Sequence, residues 1–137
     1  MNKESSTMPL MRSLILCASL LFAQHALAED WAYFSNSTDN TNFYYDLDSL
    51  ELDELGDYAL HVAAIYDEWQ YLDDGVTSYN SSIEHWKLDC SNNMVRVDDE
   101  FYWSDDEIVG ENLGEGDWEV INEETIADDL RQELCGI

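Results

Sequence analysis

The balance of charge constrains this chain more than any other feature. It carries 31 Asp and Glu against 5 Lys and Arg, a formal net charge of -26 over 137 residues. A compact fold must hold that charge together against its own repulsion. The clustered Lys and Arg that nucleic acid or anionic lipid would need are missing, so neither is expected as a partner. Yet the chain has 5 Trp and 8 Tyr, more aromatics than a solvated acidic tail carries. The expectation is one small folded domain with one modest core. A protein partner, if there is one, would present a basic surface.

The N-terminus carries an export leader. A polar stretch with Lys3 and Arg12 precedes a short apolar run, Ser13 to Ala23, and then Ala26-Leu27-Ala28, a small-x-small cleavage site. The run is too short to span a bilayer as a helix. The reading is therefore a signal peptide over 1–28 and a single domain over 29–137, exported to the periplasm, the cell surface or the medium. A retained anchor helix is the alternative. Lipid attachment at Cys17 is disfavoured by Leu16 before it, where a small residue is needed. No later segment is apolar enough to cross a membrane, so none is expected after leader cleavage.

Cleavage removes Cys17 and leaves Cys90 and Cys135. Two cysteines in an exported chain most simply form one disulfide, with two free thiols as the alternative. The closed loop would hold about 46 residues, worth near 4 kcal/mol on chain entropy.

Alternation of apolar residues predicts strands over 31–35, 42–46, 58–67, 76–90 and 94–103, with a last short one at 117–121. Residues 47–57 suit a helical turn stopped by Gly56. In 58–67, Leu60, Val62, Ala64 and Tyr66 lie on one face, and Ala59, Ala63 and Ile65 on the other. A strand apolar on both faces is expected to be central and covered on both sides. Residues 68–75 are expected as a loop, as are 104–117. The tail from Thr125 has a capping-box-like start with Asp128 three residues on, an apolar stripe of Ile126, Leu130 and Leu134, and Gly136 as its stop. A tight turn at 91–93 sets Asp89 against Met94, which puts Trp86, Leu88, Val95 and Val97 on one face together with Cys90. A bridge from Cys90 to Cys135 would pin the helix over that patch. The same register sets Lys87 against Arg96.

The order W-A-Y-F-S, F-Y-Y-D-L-D-S-L, S-Y-N-S-S-I-E-H-W-K-L-D-C, W-E-V-I and a helix ending E-L-C-G resembles the surface-adhesin protein E family of Gram-negative bacteria. The resemblance covers nearly all of the chain after the leader. It implies an α+β fold: one antiparallel sheet of about six strands, with a C-terminal helix packed on one face and tethered by a disulfide. It carries over Cys90 and Cys135 as that bridge, and Trp31, Tyr44, Tyr45, Asp46, Ser49 and Trp118 as framework positions. It also implies binding of host or extracellular-matrix proteins, as the family takes its name from an adhesin of that kind. The chain departs from the family in lacking a lipid-attachment cysteine after its leader and in being far more acidic.

Catalytic signatures are missing. There is no G-x-S-x-G, H-E-x-x-H, phosphate loop or G-x-G-x-x-G, and an acid/base pair cannot be picked from so many carboxylates. His61 and His85 are expected on opposite faces. Asp46-Leu47-Asp48-Ser49-Leu50-Glu51 begins like an EF-hand loop but has Glu51 where glycine is required. No enzyme, cofactor or dedicated metal site is expected. The expected function is a non-enzymatic exported binding module. The alternatives are a small acidic envelope protein with a structural or accessory role, or a weak divalent-cation binder at Asp73-Asp74, Asp98-Asp99 or Asp105-Asp106. The candidate protein-binding patch is Trp69, Tyr71 and Trp103, expected at one end of the sheet among Asp67, Glu68, Asp73, Asp74, Asp105 and Asp106, because aromatics ringed by charge are a common make-up of such a patch.

Overall fold

The computed structural model describes residues 30–136. The leader, its cleavage point and Cys17 lie outside the described residues. Eight strands and one helix follow in order: β1 (Trp31–Asn36), β2 (Asn42–Asp46), β3 (Glu51–Leu52), β4 (Tyr58–Tyr71), β5 (Ser78–Asp89), β6 (Met94–Ser104), β7 (Glu107–Asn112), β8 (Glu119–Val120) and α1 (Ile126–Cys135). The sheet is antiparallel with the path β1-β2-β4-β5-β6-β7; the two-residue strands β3 and β8 add to β4 and β6. The antiparallel sheet of about six strands is as expected, but its sixth strand is β7 and not the expected 117–121 segment, of which only the two-residue β8 pairs, with β6. The stretch 47–57, expected as a helical turn, holds a 3-10 turn and the short strand β3. Two further segments differ from expectation. β4 continues through Glu68–Tyr71, and β7 occupies part of the stretch expected to be loop after Ser104.

Strand alternation builds the core on one face. Tyr45 pairs with Val62, Leu60 with Trp86, and Leu88 with Val95. These six side chains, with Ile121 and Leu130, are the buried apolar cluster. The face of β4 that carries Ala59, His61, Ala63 and Ile65 is not covered by the helix. Ala63 is buried, but His61 and Ile65 are exposed. Cover on both sides is therefore overturned. Small residues shorten the profile of that face, and the neighbouring strands' side chains shield Ala63 without a second layer.

Three local devices hold the frame. Asp46 caps the 3-10 turn Leu47–Ser49 by accepting from the Asp48 N–H at 3.0 Å, and Ser49 Oγ donates to the Asp46 carbonyl at 2.8 Å. Ser49 Oγ in turn accepts from the His61 N–H at 2.9 Å. This fills the gap in the ladder between β3, which pairs with Tyr58 and Ala59, and β2, which begins pairing at Val62. At the β5–β6 turn Asp89 accepts from Asn92 N–H and Nδ2, which holds its carboxyl below the usual aspartate range. Asn93 takes the left-handed conformation there, φ 56°, which asparagine tolerates better than most residues.

The helix starts as expected, with Thr125 accepting from the Asp128 N–H at 3.2 Å and Gly136 left-handed at its end. Asp128 reaches back to the Glu124 N–H and is forked by Arg131 at 2.7 and 3.0 Å; the Arg131 bonds hold it below the usual aspartate range. Ser35 Oγ donates to the Asp129 carboxylate, tying β1 to α1. Cys90 and Cys135 form the disulfide, with Cα atoms 5.8 Å apart, inside the usual span.

Candidate functional site

The sheet face opposite the helix is the open face of the molecule, and strand register decides what stands on it. His61 of β4 lies directly opposite His85 of β5. Their rings meet edge to face with centroids 5.7 Å apart. The expectation that the two histidines lie on opposite faces is thus overturned. Ile83 and Phe101 pair one step further along, and Trp103 pairs with Ile108 beyond them. Together with Trp31 and Asp99 these residues line an open groove of about 460 Å3. Its walls are mainly apolar and aromatic, and its polar groups are the two imidazoles and acidic side chains. Apolar walls with a few polar groups are the make-up that ligand clefts share.

Next to the groove the expected clash of Lys87 with Arg96 is real in register and is relieved by a built network. Arg96 Nε lies 2.8 Å from Asp98, its second nitrogen is 3.6 Å from Glu115, and its guanidinium sits 5.2 Å from the centroid of the Trp118 ring. Asp98 is pushed up by its own burial, but the hydrogen bonds from Arg96 and from the Gly116 N–H outweigh that and hold it below the usual range. Gly116 is required there. A Cβ at this position would stand 2.0 Å from the Val97 carbonyl oxygen, so only glycine brings that N–H to Asp98. Asp98 also lies 3.6 Å from His85 Nδ1.

Trp69, Tyr71 and Trp103 fall at one end of the sheet, since Gln70 and Tyr71 pair with Tyr79 and Ser78, two to three positions from Ser81, which faces Trp103. Trp103 lines the groove; Trp69 and Tyr71 do not. They stand out on the end of β4, 48% and 62% exposed, with Asp67, Glu68, Asp73 and Asp74 exposed around them. The groove itself was not foreseen from the sequence. The signal that could have found it is the two period-two rows, Phe101 and Trp103 in β6 and Ile83 and His85 in β5, that cross at the Ile83–Phe101 pair.

On the helix side of the sheet, beyond α1, Glu84 faces Glu100, and the rings of Tyr66, Tyr79 and Tyr102 pack edge to face or tilted beside them. Burial raises the Glu84 carboxyl above the usual glutamate range, although Trp86 Nε1 donates to it at 2.8 Å, and the Glu100 charge raises it further. An acid raised in the folded state is stabilised by protonation, so its ionisation costs stability at neutral pH. Glu84→Gln should therefore melt higher than the parent at neutral pH. The gap should close as the pH falls toward about 4.3, where free glutamate itself takes up a proton. Thermal melts across that range check this; a variant that melts lower at neutral pH would show that the ionised carboxylate is a net support.

Comparison with known proteins fits this architecture. No curated protein matches the sequence significantly. Among solved structures, Haemophilus influenzae protein E in crystal form II matches with a TM-score of 0.58 at 17% identity, covering 76% of this chain and 87% of that one. A second structure of Haemophilus influenzae protein E matches with a TM-score of 0.57 at 16% identity, covering 76% and 83%. Likeness at that identity establishes the fold: the sheet, the C-terminal helix and their order. The family described as Surface-adhesin protein E matches residues 31–136, which runs from the first strand through the capped end of the bridged helix, and the chain belongs to that family.

Proposed function

We propose that this protein is an exported, non-enzymatic binding module that recognises a host or extracellular protein through a basic surface on that partner. Its site is the aromatic end of the sheet, Trp69 and Tyr71 with Trp103 at the mouth of the groove. The observation that carries the reading is the exposure of Trp69 and Tyr71 within a rim of exposed acids. Large rings left in water at the end of a long strand do nothing for the core, whereas Trp and Tyr supply much of the energy at protein interfaces. The acidic rim would steer a basic partner and speed its encounter, most at low salt. Family membership supports the adhesin-type reading, and the export leader expected over 1–28 would carry the chain out of the cytoplasm. Among the described residues no helix is long and apolar enough to cross a membrane. The protein is exported to the periplasm, the cell surface or the medium, and binding of a host protein requires one of the latter two.

Capture against a panel of extracellular-matrix proteins at physiological salt tests this, with a protein of matched net charge as control. The expected result is binding that the Trp69→Ala/Tyr71→Ala variant weakens at least about tenfold, equivalent to about 1.4 kcal/mol, while its melting temperature stays within a few degrees of the parent. Equal binding by the charge-matched control, or by the double variant, would sink the reading.

A further inference from the structure

His61 and His85 are the part of the open face that the adhesin reading leaves unused. We propose that these two side chains form an open binding site for a divalent transition-metal ion of the Zn2+ class. Three observations carry this. The first is geometric. A Zn–N bond of about 2.0–2.1 Å puts each ring centroid about 3.2 Å from the ion, so two imidazoles sharing one roughly tetrahedral ion stand about 5–6 Å apart, centroid to centroid. The two rings stand 5.7 Å apart but edge to face, at 68°, so sharing one ion takes a rotation of one side chain that brings its nitrogen to the common point. Their backbones are held side by side by directly paired strands, and that of His61 further by Ser49.

The second is the neighbour of His85. Asp98 lies 3.6 Å from Nδ1 and is itself anchored by Arg96 and the Gly116 N–H. The carboxylate stands on the Nδ1 side of the ring, beyond hydrogen-bond distance, so Nε2 is the nitrogen turned away from it, and a short side-chain movement would give the carboxylate–histidine arrangement that orients ligands in metal sites. The third is access. Both rings line the open groove, which Asp99 also lines, and a chain of net charge -26 concentrates cations at its surface. Imidazole pairs select Zn2+, Ni2+ or Cu2+ over Ca2+ and Mg2+, which carboxylates prefer. Among the described residues no three His, Cys, Asp or Glu side chains converge on one point. The ion is therefore held by two imidazoles and water, with positions left open for a ligand from outside the chain. Such a site binds more weakly than a closed structural one, and protons compete for it.

The test is titration of the disulfide-bonded protein with ZnSO4 in a background of millimolar Ca2+, which occupies carboxylates and leaves imidazoles free. The readout is the imidazole proton resonances of His61 and His85. Both should move together, saturate at one equivalent, and return to their starting positions when EDTA is added at constant pH. His61→Phe and His85→Phe, which keep a ring in each place, should each weaken binding at least about tenfold with little change in melting temperature. Movement of one imidazole alone overturns the proposal, as does unchanged Zn2+ affinity in the His61→Phe/His85→Phe variant.

Discussion

Removing the disulfide is expected to cost about 4 kcal/mol. Cys90 and Cys135 are 45 residues apart in sequence, and closing a loop of that size removes chain entropy from the unfolded state worth about 4 kcal/mol at 25 °C. A small domain has only about 5–15 kcal/mol of net stability, and this one also bears a net charge of -26 that opposes compaction. The loss should therefore be a large fraction of the whole. The variant to compare is Cys90→Ser/Cys135→Ser, which leaves no unpaired thiol to form adventitious bridges. With a urea slope of about 1–1.5 kcal/mol/M for a domain of this size, its midpoint should fall by about 3 M or the chain should fail to fold in dilute buffer. Reduced parent protein should behave the same way. A loss under about 1 kcal/mol in both would mean that the bridge adds nothing the packed helix does not already supply. Addition of 1 M NaCl, which cuts the Debye length to about 3 Å, should recover part of the loss if self-repulsion is what makes the bridge necessary.

The sequence carried the frame of this molecule well because its frame depends on local chemistry. The Asp89–Met94 register follows from the four-residue turn 90–93, held by Asp89, which ends β5 and accepts from the Asn92 N–H. The helix follows from Thr125, an apolar stripe and Gly136. The bridge follows from the two cysteines that the expected leader cleavage leaves, Cys90 and Cys135. What escaped depends on non-local pairing. β7, with sequence EIVGEN, carries a glycine and two acids in six residues and is a strand because β6 offers it an edge. Gly110 in its middle leaves the space that Leu72 occupies; a Cβ there would stand 2.7 Å from Leu72 Cδ1. The histidine pair was lost for a different reason. Between the Ile65–Ser81 and Gln70–Tyr79 pairs, the four residues Tyr66–Trp69 face Asn80 alone. No residue pattern announces a bulge of that size. An odd shift of register moves every side chain of a strand to the other face, so one unseen bulge was enough to separate His61 from His85 on paper. The groove was hidden with them, since its lining comes from five strands that the sheet brings across one face.

The helix is the element on which sheet, bridge and core meet, and Leu130 is the residue that shows how it is held. Ten residues are too few for a helix to be stable alone in water. α1 must therefore be held by its tether, by its packing, or by both. Leu130 is 0% exposed and belongs to the same cluster as Tyr45, Leu60, Val62, Trp86, Leu88 and Val95, so its side chain fills the centre of the core rather than its rim. Leu130→Ala should cost about 3 kcal/mol, within the 2–5 kcal/mol that buried leucine truncations span, because it removes apolar burial and leaves a cavity the rigid sheet cannot close. Alanine keeps the helix propensity and leaves the Thr125 cap, the Asp128–Arg131 pair and the disulfide untouched, so the loss reports packing alone. Chemical unfolding of the oxidised variant measures it. The bridge acts mainly on the unfolded chain and the leucine on the folded one, so combining Leu130→Ala with the serine pair should give close to the sum of the two losses in any background stable enough to measure. A cost under about 1 kcal/mol in oxidised protein would mean that the helix hangs on its disulfide without being part of the core. A sum well short of additive would mean that the helix leaves the sheet once the bridge is gone, so that Leu130 has no contacts left to lose.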